Sequence, residues 1–189
     1  FQSLEKRSEC LELAGELRPD MGSLTLSSLN FNKQASVNEP DTIKALARKM
    51  LQNRIRPELE AFDLGMINYA KYLLERKLIE PPCYFNLILG NIACAQANLL
   101  SLGLMVNELP PGSVWSVGGI GDFQLKMNAL GIVEGGGVRV GLEDNIYFDA
   151  ERTLLASNRD LIVRILAIAA AVGRTPYPPR EARKVLGLE

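Results

Sequence analysis

Hydrophobic positions along the chain alternate between two periods. A short β-prone run, a polar or glycine-bearing junction and an amphipathic helical pattern follow one another, and this cycle occurs five times. The pattern predicts strands at residues 22–29, 58–62, 84–89, 113–117 and 138–142. Strands that alternate with helices at this spacing indicate an α/β protein whose parallel strands are joined by right-handed crossovers.

Start and stop signals mark the helices between these strands. Pro40 and Asp41 predict a helix start, and residues 4–17 predict a helix that leads into the first strand. After Pro40, apolar residues fall three and four positions apart and predict one buried stripe: Ile43, Leu46, Ala47, Met50 and Leu51.

The C-terminal region has its own helix signals. Ser157 and Asp160 resemble a capping box before an apolar helix over residues 161–172, and Gly173 stands where a helix ends. A short terminal helix is predicted from residue 178 to about residue 186.

Five βα units predict a fold of one domain, residues 1–189. They are too few for a closed eight-stranded barrel, which typically needs about 250 residues, and suit the C-terminal part of a TIM (β/α)8 barrel. The chain also opens on a helix with no preceding strand, as a fragment without its N-terminal strands would. An open doubly wound parallel sheet is the alternative, because five parallel strands suffice for it.

Charge and cysteine content exclude several functions. The 21 Lys and Arg residues nearly balance 22 Asp and Glu residues, so no basic surface for nucleic acid or an anionic membrane is expected. No apolar run reaches the roughly twenty residues of a membrane span. Three cysteines without metal-type spacing favour free thiols in a reducing compartment, and we therefore expect a cytoplasmic protein.

Histidine is absent from the sequence. An enzyme that uses histidine as an acid, a base or a metal ligand cannot complete its site from these residues. The chain therefore either supports different chemistry or contributes only part of a site.

The last predicted strand supplies the main candidates for chemistry. Arg139, Gly141 and Glu143 share one face by the two-residue period of a strand, and Asp144 follows them. The opposite face carries Val138, Val140 and Leu142. Because unpaired buried charge is costly, inward-pointing charged residues indicate a functional cluster. An internal Arg139–Glu143 ion pair is the structural alternative.

Two earlier strands add further candidates. Glu58, Glu60 and Phe62 share a face, so a carboxylate can point toward the barrel axis, whereas an exposed salt bridge at the strand end is the alternative. Asp63 can cap the following helix. In the first strand, hydroxyls alternate with leucines, so Ser23 can bind a carboxylate or hydrogen-bond to a neighbouring strand.

Three segments carry a family resemblance. They are Arg-Pro-Asp-Met-Gly-Ser-Leu at 18–24, Arg-Pro-Glu-Leu-Glu-Ala-Phe-Asp at 56–63 and Gly-Val-Arg-Val-Gly-Leu-Glu-Asp-Asn at 137–145. Together they closely resemble the β-keto acid cleavage enzyme family, whose type member cleaves 3-keto-5-aminohexanoate. The resemblance covers essentially the whole chain, and the third segment is the most specific.

The resemblance implies roles for five residues. It implies a barrel that binds Zn²⁺ through two upstream histidines, spaced His-x-His, and through a glutamate that matches Glu143. The arginine and aspartate that polarise and deprotonate reactants in the family match Arg139 and Asp144. The hydroxyl residue that helps to bind substrate matches Ser23, and the acidic residue of the second segment matches Glu60.

The implied reaction condenses a β-keto acid with acetyl-CoA to give acetoacetate and a new CoA thioester, in a homo-oligomer. Because catalytic zinc generally needs three protein ligands, we expect this polypeptide alone neither to bind zinc tightly nor to catalyse the reaction. The alternatives are another metal-dependent TIM-barrel lyase or aldolase, and a non-catalytic partial barrel that needs a partner chain.

Overall fold

Five parallel strands form the central sheet of the protein. The computed structural model describes residues 3–188. The strands are β1 (Met21–Thr25), β2 (Leu29–Asn30), β3 (Ala35–Ser36), β4 (Arg56–Ala61), β5 (Tyr84–Leu89), β6 (Val114–Gly119) and β7 (Gly137–Val138). The helices are α1 (Leu4–Arg7), α2 (Pro40–Gln52), α3 (Leu64–Glu75), α4 (Leu99–Asn107), α5 (Gln124–Val133), α6 (Asn158–Ala171) and α7 (Pro179–Val185).

The order of the strands identifies the architecture. The sheet runs β1-β4-β5-β6-β7 with every neighbouring pair parallel, and β2 and β3 form a separate antiparallel hairpin. A doubly wound sheet reverses its strand order at a switch point and carries helices on both faces. This sheet has no reversal, so the prediction of a partial TIM barrel is confirmed and the doubly wound alternative does not describe it.

Helices cover one face of this sheet. A side chain added at Gly22 of β1 would meet Met50 of α2, and one added at Gly131 of α5 would meet Val117 of β6. Residues on this outer face are almost completely buried: Leu24, Leu59, Ala61, Phe85, Leu87 and Val117. Each large apolar side chain buried here contributes about 1.5–3 kcal/mol. The opposite, inner face is left for polar residues.

Several predicted helices are confirmed, with one exception in the buried stripe. In α2, Ile43, Leu46, Ala47 and Met50 are buried, whereas Leu51 turns away from the sheet and stays exposed. Asp63 caps α3 by accepting a hydrogen bond from the Met66 N–H. At α6 both hydrogen bonds of the Ser157–Asp160 capping box are present, and Gly173 adopts a φ of +74° just beyond its end.

The predicted helix over residues 4–17 is wrong. The segment contains α1 followed by two 3-10 turns, Glu9–Glu12 and Gly15–Leu17. Leu13 is extended and Gly15 has a φ of +62°, and neither conformation continues an α-helix.

Two predicted strands are longer than the observed ones. The run at 22–29 divides into β1 and the start of the β2–β3 hairpin. The run at 138–142 pairs with β6 only at its beginning, because the chain leaves the ladder after Arg139 and enters a turn. The prediction that Arg139, Gly141 and Glu143 share one strand face is therefore wrong beyond the first of these residues.

The terminal helix α7 lies at the amino ends of the strands. Arg183 of α7 forms an ion pair with Asp20 at 2.6 Å, and Arg56 at the start of β4 donates to the Gly187 carbonyl at 3.2 Å. Arg56 also donates to the carbonyls of Glu80 and Pro81. Between residues 3 and 188 no helix is long and apolar enough to cross a membrane.

Candidate active site

The inner face of the sheet carries a network of polar side chains. Glu58 accepts hydrogen bonds from the hydroxyl of Ser23 at 2.6 Å and from the amide of Asn86 at 2.8 Å. Glu60 accepts one from the hydroxyl of Thr25 at 2.6 Å. These residues come from three neighbouring strands, and Glu58 is fixed by partners on both sides, whereas Glu60 has its hydrogen-bond partner on β1.

Arg139 lies at the carboxyl ends of the strands with three carboxylates around it. Its guanidinium meets Asp144 in a two-pronged contact, with Nε 2.7 Å from Oδ2 and Nη2 3.2 Å from Oδ1. Nη2 is also 2.9 Å from Oε2 of Glu143, and Nη1 is 3.7 Å from Oε1 of Glu60. The predicted residues Arg139, Glu143, Asp144 and Glu60 are therefore brought together, and the alternative Arg139–Glu143 ion pair is present as one contact within this group.

The three carboxylates differ sharply in exposure. The side chain of Asp144 is 4% exposed and that of Glu60 is 17% exposed, whereas that of Glu143 is 83% exposed. Arg139 itself is 21% exposed. Asp144 is therefore a buried acceptor held by one cation, and Glu143 is open to solvent at the rim of the cluster.

Burial changes the ionisation of this cluster. Burial raises the pKa of the Glu60 carboxyl above its usual value, and the hydrogen bond from Thr25 and the charge of Arg139 only partly oppose it. Burial lowers the pKa of the Arg139 guanidinium, but its hydrogen bonds and charge contacts with Asp144, Glu143 and Glu60 raise it overall. The arginine is therefore always charged, whereas Glu60 accepts a proton more readily than an exposed glutamate.

Glycine creates the space that Arg139 occupies. The Arg139 N–H still donates to the Val117 carbonyl at 2.9 Å, which places the residue opposite Gly118 on the inner face. A Cβ at Gly118 would lie 3.1 Å from Cβ of Arg139 and 3.2 Å from its Cδ. A larger residue there would displace the arginine.

A turn, and not a strand, aims the acidic pair. The N–H groups of Asp144 and Asn145 both point to the Gly141 carbonyl, and the Asp144 carbonyl accepts from the Gly121 N–H at 2.7 Å. The turn directs the two consecutive carboxylates to the same guanidinium. A continued strand would have placed them on opposite faces of the sheet.

Ser23 contacts Glu58 and not the carboxylates that surround Arg139. Its hydroxyl donates to Glu58, so the alternative of hydrogen bonding to a neighbouring strand describes its observed contact. A role for Ser23 in substrate binding stays a prediction. Thr25 is one of the hydroxyls that alternate with leucines in the first strand, and it too contacts a neighbouring strand. Sequence reasoning overlooked Asn86, although it interrupts a run of apolar residues.

The residues present do not make a zinc site on their own. Across the described part of the chain, no three His, Cys, Asp or Glu side chains are placed to hold a metal ion together. Glu143 is exposed and contributes a single carboxylate, and zinc sites generally use at least three protein ligands.

Several known proteins of similar sequence have names that refer to 3-keto or 3-oxo acids. The chain is 39% identical over 175 residues to a 3-keto-5-aminohexanoate cleavage enzyme of Fusobacterium nucleatum, covering 92% of this chain and 63% of that protein. It is 34% identical to the enzyme of the same name from Acetoanaerobium sticklandii, covering 91% of this chain and 63% of that protein. It is 35% identical to a 3-oxoadipate:acetyl-CoA acetyltransferase of Cupriavidus necator, covering 91% of this chain and 61% of that protein. The chain thus spans less than two thirds of the length of these relatives.

A solved structure supports the fold. The ternary complex of ObcA with C4-CoA adduct and oxalate superposes with a TM-score of 0.70 at 19% identity, covering 96% of this chain and 50% of that one. The model of the beta-keto acid cleavage enzyme family matches residues 1–188. With the motif residues gathered around Arg139 and these matches over nearly its whole length, the chain belongs to the beta-keto acid cleavage enzyme family.

Proposed function

We propose that the whole protein transfers the acyl part of a β-keto acid to CoA, using acetyl-CoA and releasing acetoacetate. The observation that carries the proposal is the Arg139–Asp144 contact beside Glu60 at the carboxyl ends of parallel strands. Catalytic residues of TIM barrels lie at that end. The names of the relatives support the substrate classes.

Asp144 is the proposed general base. It is buried, and its two oxygens are oriented by the Nε and Nη2 groups of Arg139, so one carboxylate oxygen can be directed at a substrate C–H. Arg139 is fixed in turn by Glu60 and Glu143, and it offers positive charge to an oxygen that becomes negative. Glu60, held by Thr25, completes the orientation of the arginine.

The proposed sequence of bonds balances without a further reactant. Asp144 takes a proton from C2 of the β-keto acid, and the resulting carbanion attacks the thioester carbonyl of acetyl-CoA, so that the CoA thiolate leaves. The thiolate attacks the C3 carbonyl of the adduct, the C2–C3 bond breaks, and the proton returns from Asp144 to C2. The products are acetoacetate and the CoA thioester of the remaining acyl group.

Zinc and the upstream strands are part of this proposal. The chain spans less than two thirds of the length of its relatives, and we propose that histidine ligands, which residues 1–189 lack, would come from the part of the barrel that these residues do not form. Glu143, exposed at the rim of the cluster, would supply the remaining ligand. Bound zinc would provide Lewis-acid stabilisation of negative charge on the keto acid.

Assembly and compartment are proposed on separate grounds. The outward face of α6 exposes Ile162, Val163 and Leu166, an apolar surface that supports packing against another part of the barrel or a second subunit. We propose a homo-oligomer on this basis. Cys10, Cys83 and Cys94 are free thiols, which supports a cytoplasmic location.

The test is a coupled assay of the full-length protein. The protein is incubated with acetyl-CoA and a panel of β-keto acids, and acetoacetate and the new CoA thioester are measured by mass spectrometry. We expect both products in equal amounts and only when acetyl-CoA is present. Cleavage without acetyl-CoA would instead support another barrel lyase or aldolase, and no cleavage of any β-keto acid would support a non-catalytic barrel.

A further inference from the structure

Two amide side chains are completely buried beneath the arginine cluster. Gln124 and Asn128 lie one turn apart on α5, and both are 0% exposed. Burying an amide without hydrogen bonds is unfavourable, so such residues need strong partners in the folded protein. Their partners are backbone carbonyls of β6 and of the segment that carries Arg139.

The donor contacts converge where strand pairing stops. Nδ2 of Asn128 donates to the Val117 carbonyl at 3.0 Å and to the Arg139 carbonyl at 2.8 Å. Nε2 of Gln124 donates to the Gly141 carbonyl at 2.8 Å. Because β7 ends at Val138, the ladder does not hold residues 140 and 141, and α5 supplies side-chain donors in its place.

The acceptor atoms of the same amides have no partner. Oδ1 of Asn128 and Oε1 of Gln124 are buried and accept no hydrogen bond from any residue the structure describes. An unsatisfied buried acceptor costs about 1–3 kcal/mol. Apolar residues at these two positions would avoid that cost. We therefore attribute the presence of the amides to the backbone carbonyls that their N–H groups bind.

We propose that Gln124 and Asn128 are positioning residues that fix the backbone at 139–141 and so direct the Arg139 guanidinium at Asp144. Asn128 binds the carbonyl of the arginine itself, and Gln124 binds the carbonyl that the Asp144 N–H also contacts. The expected effect on turnover rests on the proposed function. The expected effect on the order of the backbone at 139–141 does not, and it can be measured separately.

The test uses the full-length protein with Gln124→Met and Asn128→Leu, singly and together, which keep the side-chain shape and remove the donors. Met127→Ala is the matched control, because Met127 is equally buried on α5 and packs in the hydrophobic core. The measurements are backbone amide hydrogen exchange over residues 137–145, the thermal unfolding midpoint, kcat and KM.

We expect the double variant to speed exchange over residues 139–145 by about tenfold or more relative to Met127→Ala. We expect kcat to fall about 10- to 100-fold with little change in KM, because misplacing a catalytic group by about 1 Å has effects of this size. Unchanged exchange, or equal changes in exchange and kcat in Met127→Ala at similar loss of stability, would overturn the proposal. If the unaltered protein shows no acetyl-CoA-dependent turnover, the proposed function fails, while the exchange result still decides the positioning role.

Discussion

Two arginines at opposite ends of the same sheet illustrate two uses of one side chain. Arg56, at the amino end of β4, donates to three backbone carbonyls, those of Glu80, Pro81 and Gly187. Arg139, at the carboxyl end beyond β7, contacts three carboxylates. One arginine joins pieces of main chain, and the other organises titratable side chains.

The difference follows from what the partners can do. Backbone carbonyls do not ionise, so the contacts of Arg56 tie the C-terminal segment and the β4–β5 connection to the sheet at every pH. Carboxylates can accept a proton, bind a metal or turn toward a ligand. A cavity of about 410 Å³ lies beside Arg56, yet the chemistry is expected at Arg139, in agreement with the separation of stability and catalysis between the two ends of TIM barrels.

The largest predicted effect is the loss of bound zinc when a glutamate at the carboxyl end of the sheet is replaced, whereas replacing one at the amino end should leave zinc bound. In the full-length protein, Glu143→Ala removes the one carboxylate that this chain is proposed to offer to zinc, so bound zinc and turnover should both be lost. Glu80→Ala is the control at the amino end, where only the Glu80 carbonyl is used. Elemental analysis of purified protein measures both variants. Stoichiometric zinc in Glu143→Ala would remove that residue from the ligand set.

Asp144→Asn should separate turnover from metal binding. The asparagine keeps the shape but cannot act as a base, so kcat should fall about 10²- to 10⁴-fold while zinc is retained. Asp20→Asn is the matched substitution at the amino end, where the aspartate pairs with Arg183, and its kcat should not change. Equal losses of kcat in the two variants would contradict the assignment of the base.

Arginine-to-lysine substitutions should give opposite outcomes at the two ends. Arg139→Lys loses the two-pronged contact with Asp144, so we expect kcat to fall about 10- to 100-fold. Its loss of unfolding free energy should be smaller than that of Arg56→Lys. Arg56→Lys cannot reach three carbonyls at once, so we expect a loss of about 1–3 kcal/mol in unfolding free energy at unchanged kcat. Denaturant unfolding measures the loss of stability and steady-state kinetics measure kcat for both variants. A large loss of kcat in Arg56→Lys would contradict the separation of catalysis and stability between the two ends.

The smallest predicted effects are shifts of stability with pH, and they have opposite signs. Burial raises the pKa of Glu60, so its charge lowers the unfolding free energy at neutral pH, and this cost disappears as the pH falls toward about 4. The hydrogen bond from Arg183 lowers the pKa of Asp20, so its charge stabilises the fold at neutral pH and that contribution is lost as the pH falls through the folded pKa.

Thermal unfolding tests these signs. At pH 7, Glu60→Gln should raise the unfolding midpoint and Asp20→Asn should lower it. The Glu60→Gln difference should shrink as the pH falls toward about 4, whereas the Asp20→Asn difference should persist to about pH 4 and shrink only below it. A lower midpoint for Glu60→Gln at pH 7 would mean that the contacts with Thr25 and Arg139 outweigh the cost of burial.

The sequence predicts the fold better than the geometry of the site. Alternating periods are repeated over many residues, so β5 was predicted at its observed bounds and α6 was predicted with its capping box. The end of β7 depends on single contacts from α5 and on the turn at Gly141, which leave no periodic signal. The strand pattern therefore placed Arg139 correctly and misplaced Glu143.

Polar partners were harder to predict than charged ones. Arg139 and Asp144 stand out because charge is rare inside a barrel, whereas Gln124 and Asn128 lie on a helix whose pattern allows either side chain to face solvent. Only the packing of α5 on β6 shows that both are buried. Asn86 was overlooked because a single amide does not change the period of its strand.

A double-mutant cycle between Arg139 and Asp144 tests the central claim most directly. It compares kcat/KM of the full-length protein with Arg139→Lys, Asp144→Asn and both substitutions, using acetyl-CoA and the preferred β-keto acid. If the arginine acts by orienting the aspartate, the double variant should lose no more than the larger of the two single losses. Losses that multiply in the double variant would show two independent contributions and contradict the account.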